Sequence, residues 1–270
     1  MAKYKKKRAR ELKHDKFRDT TLGLIDRVAP RLEGKGRQIL YAIGGLIAVG
    51  LVAWVIMAWI GSRSDEARFA LGRAIKITET PVIATPVAGS TAASFRTEKE
   101  RAQKALEEFQ KVAANYGGSV GEQARYFAAT NQLIIDRAKG VSELEALTKS
   151  SDRDISALAK FAIAQVKEGD NKYDEAAALY SGILKEEGTI ITPDSVNLRL
   201  AMAYQKLGKL SEAADILYKM VETARQAKGK DGKPIPQSSA VRKAEAELEK
   251  LDPDRHAKLP APPLPSNLAM

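Results

Sequence analysis

Residues 169–184 read "GDNKYDEAAALYSGIL", and residues 208–221 read "GKLSEAADILYKMV". Each runs from a Gly through a large residue, Tyr173 or Leu210, to Glu-Ala-Ala. A second large residue, Tyr180 or Leu217, follows four positions after the first Ala. Ala176 and Ala213 are therefore equivalent, 37 residues apart. On a helix, positions i and i+4 share one face, so each pair sets a small residue beside a large one. The stretch "KALEEFQKVAANYGG" (104–118) repeats the pair as Ala105 and Phe109, and "SELEAL" (142–147) holds a worn copy at Leu144. The four marks are spaced by 39, 32 and 37 residues. With Gly169 aligned on Gly208, the third unit has two extra residues before Tyr173.

Helix punctuation surrounds these marks. Thr97-x-x-Glu100, Ser119-x-x-Glu122 and Ser142-x-x-Glu145 have the form of capping boxes. Thr192-Pro193 places a cap before a proline at the first helical position. Gly117-Gly118, Gly140, Gly169, Gly188 and Gly208 are expected stops. The spacing predicts helices over 97–116, 120–139, 142–148, 152–168, 173–186, 193–207 and 210–227, and a short one over 240–251. Short loops between them imply antiparallel neighbours. Period-2 apolar runs are nearly absent, and aromatic residues make up only 6% of the chain, which favours closely packed helices over a β-sandwich. With no cysteine, stability must come from packing.

The period near 34 and the small residue of the second helix resemble tetratricopeptide (TPR) repeats. Leu200, Ala201, Tyr204, Gly208, Ala213 and Leu217 fit that motif, as do Phe161, Ala162, Gly169, Tyr173, Ala176 and Tyr180. The first two units are degenerate, and no unit has the leading Trp or the closing Pro. The resemblance implies an all-α, TPR-like α-solenoid of helical hairpins over 95–228. In such arrays the first helices of the hairpins line the inner surface. In the register read here, the inward positions are Ala159, Ile163, Val166 and Lys167 in one unit, and Leu198, Met202 and Gln205 in the next. These are mostly apolar, so the expected occupant is a hydrophobic or extended segment, not a terminal carboxylate.

The chain carries 44 basic and 34 acidic residues. Residues 1–38 hold 13 of the basic and 5 of the acidic ones, which leaves 31 and 29 for the rest. A near-neutral body argues against a nucleic-acid-binding domain. Ile39 to Ile60 is a run of 22 residues without a charge, long enough as a helix to cross a hydrocarbon core of about 30 Å. It is too long for the apolar part of a cleaved signal, and no small-x-small site follows. We read a basic cytoplasmic tail (1–38), one transmembrane helix (39–60) and a juxtamembrane helix with a flexible Pro/Thr/Ala-rich loop (61–94). The helical repeat domain (95–228) follows, then a short helix with a Pro-rich tail (229–270). Basic residues in short segments stay inside, so the bulk of the chain is expected outside, in the periplasm.

A basic tail, one span and an outer TPR-like domain are together similar to the bacterial YfgM-like family, over residues 20–222. That resemblance implies an inner-membrane adaptor close to the SecYEG translocon and periplasmic chaperones. A scaffold for division or outer-membrane assembly is the alternative, and an RNA or ribosome contact through residues 1–18 a third. Catalysis is not expected. The two histidines, His14 and His256, lie outside the repeats, and there is no HExxH, G-x-S-x-G or phosphate-loop motif. No catalytic, cofactor or metal residues are assigned. Protease added to spheroplasts should degrade residues 95–270; protection of that region until lysis would reverse the orientation.

Overall fold

The computed structural model describes Gly50, Val52 and residues 63–84, 93–230 and 232–262. The tail (1–38) and nearly all of the expected span (39–60) lie outside the described residues. Among the described residues, no helix is long and apolar enough to cross a membrane. The chain divides into two compact units, Met1–Asp65 and Glu66–Met270, and the helical body lies in the second.

The described chain is helical, with α1 (residues 63–79) first. It is followed by α2 (Glu98–Asn115), α3 (Gly118–Ile135), α4 (Arg137–Leu147), α5 (Arg153–Gly169) and α6 (Tyr173–Ile183). Then come α7 (Pro193–Lys206), α8 (Leu210–Gln226), α9 (Ser239–Leu251) and the single turn α10 (Pro253–His256). Consecutive helices pack as hairpins: α1 with α2, α3 with α4, α5 with α6, and α7 with α8. Helix α9 packs on α8 and also touches α7. Among the described residues, β pairing is confined to isolated bridges: Val82 pairs with Phe95 in the loop between α1 and α2, and Lys228 with Pro234 before α9.

The four sequence marks are the centres of four apolar clusters. Ala105, Leu144, Ala176 and Ala213 are each 0% exposed. Ala105 of α2 clusters with Leu71 and Ala74 of α1 and with Ala124 and Ala128 of α3. Leu144 of α4 joins Ala129 of α3 to Ile155 and Ala159 of α5. Ala176 of α6 joins Ala164 of α5 to Val196 and Leu200 of α7. Ala213 of α8 joins Ala201 of α7 to Val241 and Ala244 of α9. So each second helix is held between the first helix before it and the first helix after it. The large partners Phe109, Tyr180 and Leu217 are fully buried in the same clusters. The fourth position, Thr148, is only the C-cap of α4, which is why that copy looks worn.

Two turns correct the alignment. Gly208 has φ 74°, and the residue at the same place in the preceding hairpin is Asn171, at φ 59°. In both turns the next amide reaches back to the helix, Lys172 N–H to the Lys167 carbonyl and Lys209 N–H to the Tyr204 carbonyl, each at 2.9 Å. Asn is the side chain that best tolerates this left-handed conformation after Gly. Asn171 and Gly208 are 37 residues apart, as Ala176 and Ala213 are, so the third unit has no insertion.

Two of the three expected capping boxes are also corrected. Thr97 does cap α2, accepting from Glu100 N–H at 3.1 Å. Ser119 lies inside α3 and bonds Asp152, and Ser142 lies inside α4. The actual break is at Asp136, whose carboxylate accepts from Lys139 N–H at 3.1 Å. Gly140 is not a stop. It is buried within α4, where a Cβ would meet the Leu133 amide nitrogen at 2.5 Å. The glycine is there because α3 and α4 cross without room for a side chain.

The start of the Pro-rich end, up to Pro260, is held against the helical body. Residues 255–260 run along one stripe of α8. Arg255 pairs with Asp215 and donates to the Ser211 carbonyl. Tyr218 O–H donates to the Lys258 carbonyl at 3.4 Å, and Arg225 donates to the Pro260 carbonyl. Leu251 and Leu259 pack on the last cluster. This strap lies along a stripe of α8 beside the face that α9 covers.

Ala213→Glu should destabilise the helical body by several kcal/mol, because it desolvates a charge between three helices. Gly140→Ala should cost about 2 kcal/mol through overpacking. Thermal melting of residues 63–262 checks both; an unchanged midpoint for Ala213→Glu would reject the register.

Candidate groove on the first helices

A groove of about 580 Å³ crosses α5, α7 and α9. Its apolar lining is Phe161, Ile190, Ile191 and Leu198, and its polar lining includes Gln165, Ser195, Arg199 and Lys243. These positions follow from the stacking. Residues 161 and 165 share a face of α5, as do 195, 198 and 199 on α7 and 240 and 243 on α9. Because each second helix sits between two first helices, the first helices lie side by side and offer their remaining faces together. Ile190 stands at the rim, 65% exposed, and its N–H donates to the Asp154 carboxylate at 2.8 Å.

Of the inward positions expected from sequence, only Leu198 lines this groove. Ala159 and Ile163 belong to the cluster around Leu144, and Val166 is buried. Lys167 pairs with Glu175 of α6, whose carboxylate holds the ammonium above its ordinary pKa. Met202 is half-buried against the Ala213 cluster, and Gln205 is half-exposed. The groove is lined by Phe161 and Gln165 where the sequence reading pointed to Ile163. A shift of two residues is about 200° around a helix, so the sequence reading selected the packed face. Arg199 and Lys243 were missed. The signal for Lys243 was the helix expected at 240–251, which acts as one more first helix.

Charge is unevenly placed around the groove. None of its lining residues is acidic. Arg199 pairs with Glu168 at 3.0 Å, with side chains 40% and 16% exposed. Lys243 is exposed and has no ion-pair partner among the described residues. Beneath the groove, the ring of Phe161 meets that of Tyr180 edge-on, with centroids 5.5 Å apart. The Tyr180 hydroxyl is buried without a hydrogen-bond partner. Burial first, and then the Glu168 carboxylate, pushes its phenol far above the ordinary range, while Arg199 acts in the opposite direction.

Among the described residues, no group of three or more His, Cys, Asp or Glu is placed to hold a metal ion. A second cavity of about 700 Å³ lies between the N-termini of α7 and α9 and the end of α8, lined by Ile216, Met220, Ile235 and Val241 among others. Comparison with protein-family models, curated proteins and solved structures gives no match.

Tyr180→Phe should raise stability near neutral pH by about 1 kcal/mol, since it removes a buried hydroxyl that lacks a partner. It should also change the alkaline limb. Below pH of about 10, folded and unfolded chains both keep the phenolic proton. Above it, the unfolded tyrosine ionises while folded Tyr180 does not, so the native protein loses up to about 1.4 kcal/mol per pH unit. Urea unfolding of both proteins across that range should show the Phe variant spared this loss. Parallel curves would show Tyr180 to be solvated.

Proposed function

We propose that this chain is a membrane-anchored, TPR-like adaptor on the periplasmic face of the inner membrane. Residues 39–60 anchor it, the basic tail keeps its N-terminus in the cytoplasm, and the helical hairpins receive a partner protein at the secretion translocon or its chaperones. The TPR-like assignment is supported by the recurrence of Ala105, Leu144, Ala176 and Ala213 at the centres of successive clusters. The observation that carries the binding role is the groove across α5, α7 and α9. There, half-buried Phe161 and exposed Ile190 lie over the buried Leu198, beside a cation without an ion-pair partner among the described residues. A groove of this kind suits an extended segment of another protein better than a reaction.

A photo-crosslinking residue at Gln165, in the groove, should capture translocon or chaperone proteins in intact membranes. The same residue at Ile134, exposed elsewhere, should not. Equal capture at both positions, or capture only of unrelated proteins at Gln165, would remove the adaptor reading.

A further inference from the structure

The groove contains an ion pair placed to be broken. Arg199 lies in the groove with much of its side chain exposed, but Glu168, its partner, is largely covered. Taking Arg199 away would leave a carboxylate half-desolvated, which is costly unless another donor stands by. Such a donor is present. Tyr180 occupies the large position of its unit, where the other units use Phe109 and Leu217. Those side chains need no partner. The Tyr180 hydroxyl makes no hydrogen bond of ordinary geometry in this structure, yet Glu168 already acts on it by charge and as an acceptor, while Arg199 opposes that charge. The Tyr180–Glu168 contact is thus incomplete while Arg199 holds the carboxylate, and it can close when Arg199 leaves.

We propose that the groove recognises an extended acidic peptide segment whose carboxylate takes Arg199 from Glu168, with the Tyr180 hydroxyl then donating to Glu168. This rests on the adaptor reading and narrows its partner. Charge complementarity carries the choice: Arg199 and Lys243 are in the lining, and no carboxylate is. The carboxylates that touch lining residues are both engaged, Glu168 with Arg199 and Asp154 with Ile190 N–H. The lining comes from three separate helices, so the occupant that touches all of it is extended. Alternate side chains of such a segment point the same way, so an apolar residue meets Phe161 and Leu198 while its acidic neighbours reach the cations. The partner is thus a segment of mixed acidic and apolar residues, and the acidic group need not be its terminus.

The probe is a fluorescein-labelled octapeptide of alternating Leu and Asp, with both ends blocked. It is compared with the same peptide carrying Asn for Asp. Anisotropy with the full chain in detergent should show the Asp peptide binding at least tenfold more tightly. Lys243→Ala and Arg199→Gln should each weaken it about tenfold. Tyr180→Phe should weaken it several-fold while its melting midpoint stays put or rises, a split that a purely structural role would not give. A carbon-13 label on the Tyr180 phenol should shift on binding. Equal binding of the two peptides, both lost in Ile190→Glu, would overturn acidic recognition but keep the groove. Binding untouched by Ile190→Glu, or no binding at all, would overturn the inference, and the first of these would overturn the groove reading as well. If inorganic phosphate alone reproduces the Tyr180 shift, the site is a general anion site and the peptide proposal fails.

Discussion

Everything in the helical body depends on one contact repeated four times. One residue of each second helix is buried between the first helix before it and the first helix after it. At three of the four places it is Ala, and its lack of bulk sets how closely the helices approach. Leu144 shows what happens otherwise. Its helix, α4, comes near α3 only through Gly140, which lies against Leu133. A larger side chain at one point is thus balanced by the removal of one at another. Because interiors are close-packed, such compensation is local and specific.

From this contact the other features arise in order. Sandwiching each second helix forces successive first helices into a row. The row exposes one face of each, and α5, α7 and α9 form the groove. The stack ends at α9 and at the strap over α8, whose stripe of Ser211, Asp215, Tyr218 and Arg225 holds the chain to Pro260. The same packing that fixes the groove also creates its anomaly. The large position of the third unit needs an apolar body, and Tyr180 supplies one, but its hydroxyl then sits in the floor without a partner.

Much of the fold was legible in the sequence. The Glu-Ala-Ala stretches marked two second helices, and Ala105 and Leu144 marked the others, because each second helix needs a small or buried residue where it is sandwiched. Turns were less legible. Asn171 performs the task of Gly208, and an alignment on glycines displaced it by two residues. Capping residues misled for a related reason: Ser119 and Ser142 have the right spacing, but Asp136 and the glycines at 117–118 set the breaks. The first hairpin was hidden by the long loop after α1, so Leu71 and Ala74 were not paired with Ala105. The groove was hardest. Whether Ile163 or Gln165 faces a partner depends on a rotation about the helix axis that both apolar and mixed faces permit. Arg199 and Lys243 become a site only when α7 and α9 are side by side. The strap had no periodic signal at all, since Tyr218 and Arg225 meet Lys258 and Pro260 from a separate element.

The stacking itself is most directly tested by methyl nuclear Overhauser contacts from Ala105, Ala176 and Ala213 in residues 63–262. Sandwiching of every second helix predicts that each methyl shows contacts to the helix before its own and to the helix after it: Ala105 to α1 and α3, Ala176 to α5 and α7, and Ala213 to α7 and α9. Contacts confined to one neighbour, or to the residue's own helix, would contradict the repeated core and the groove built on it.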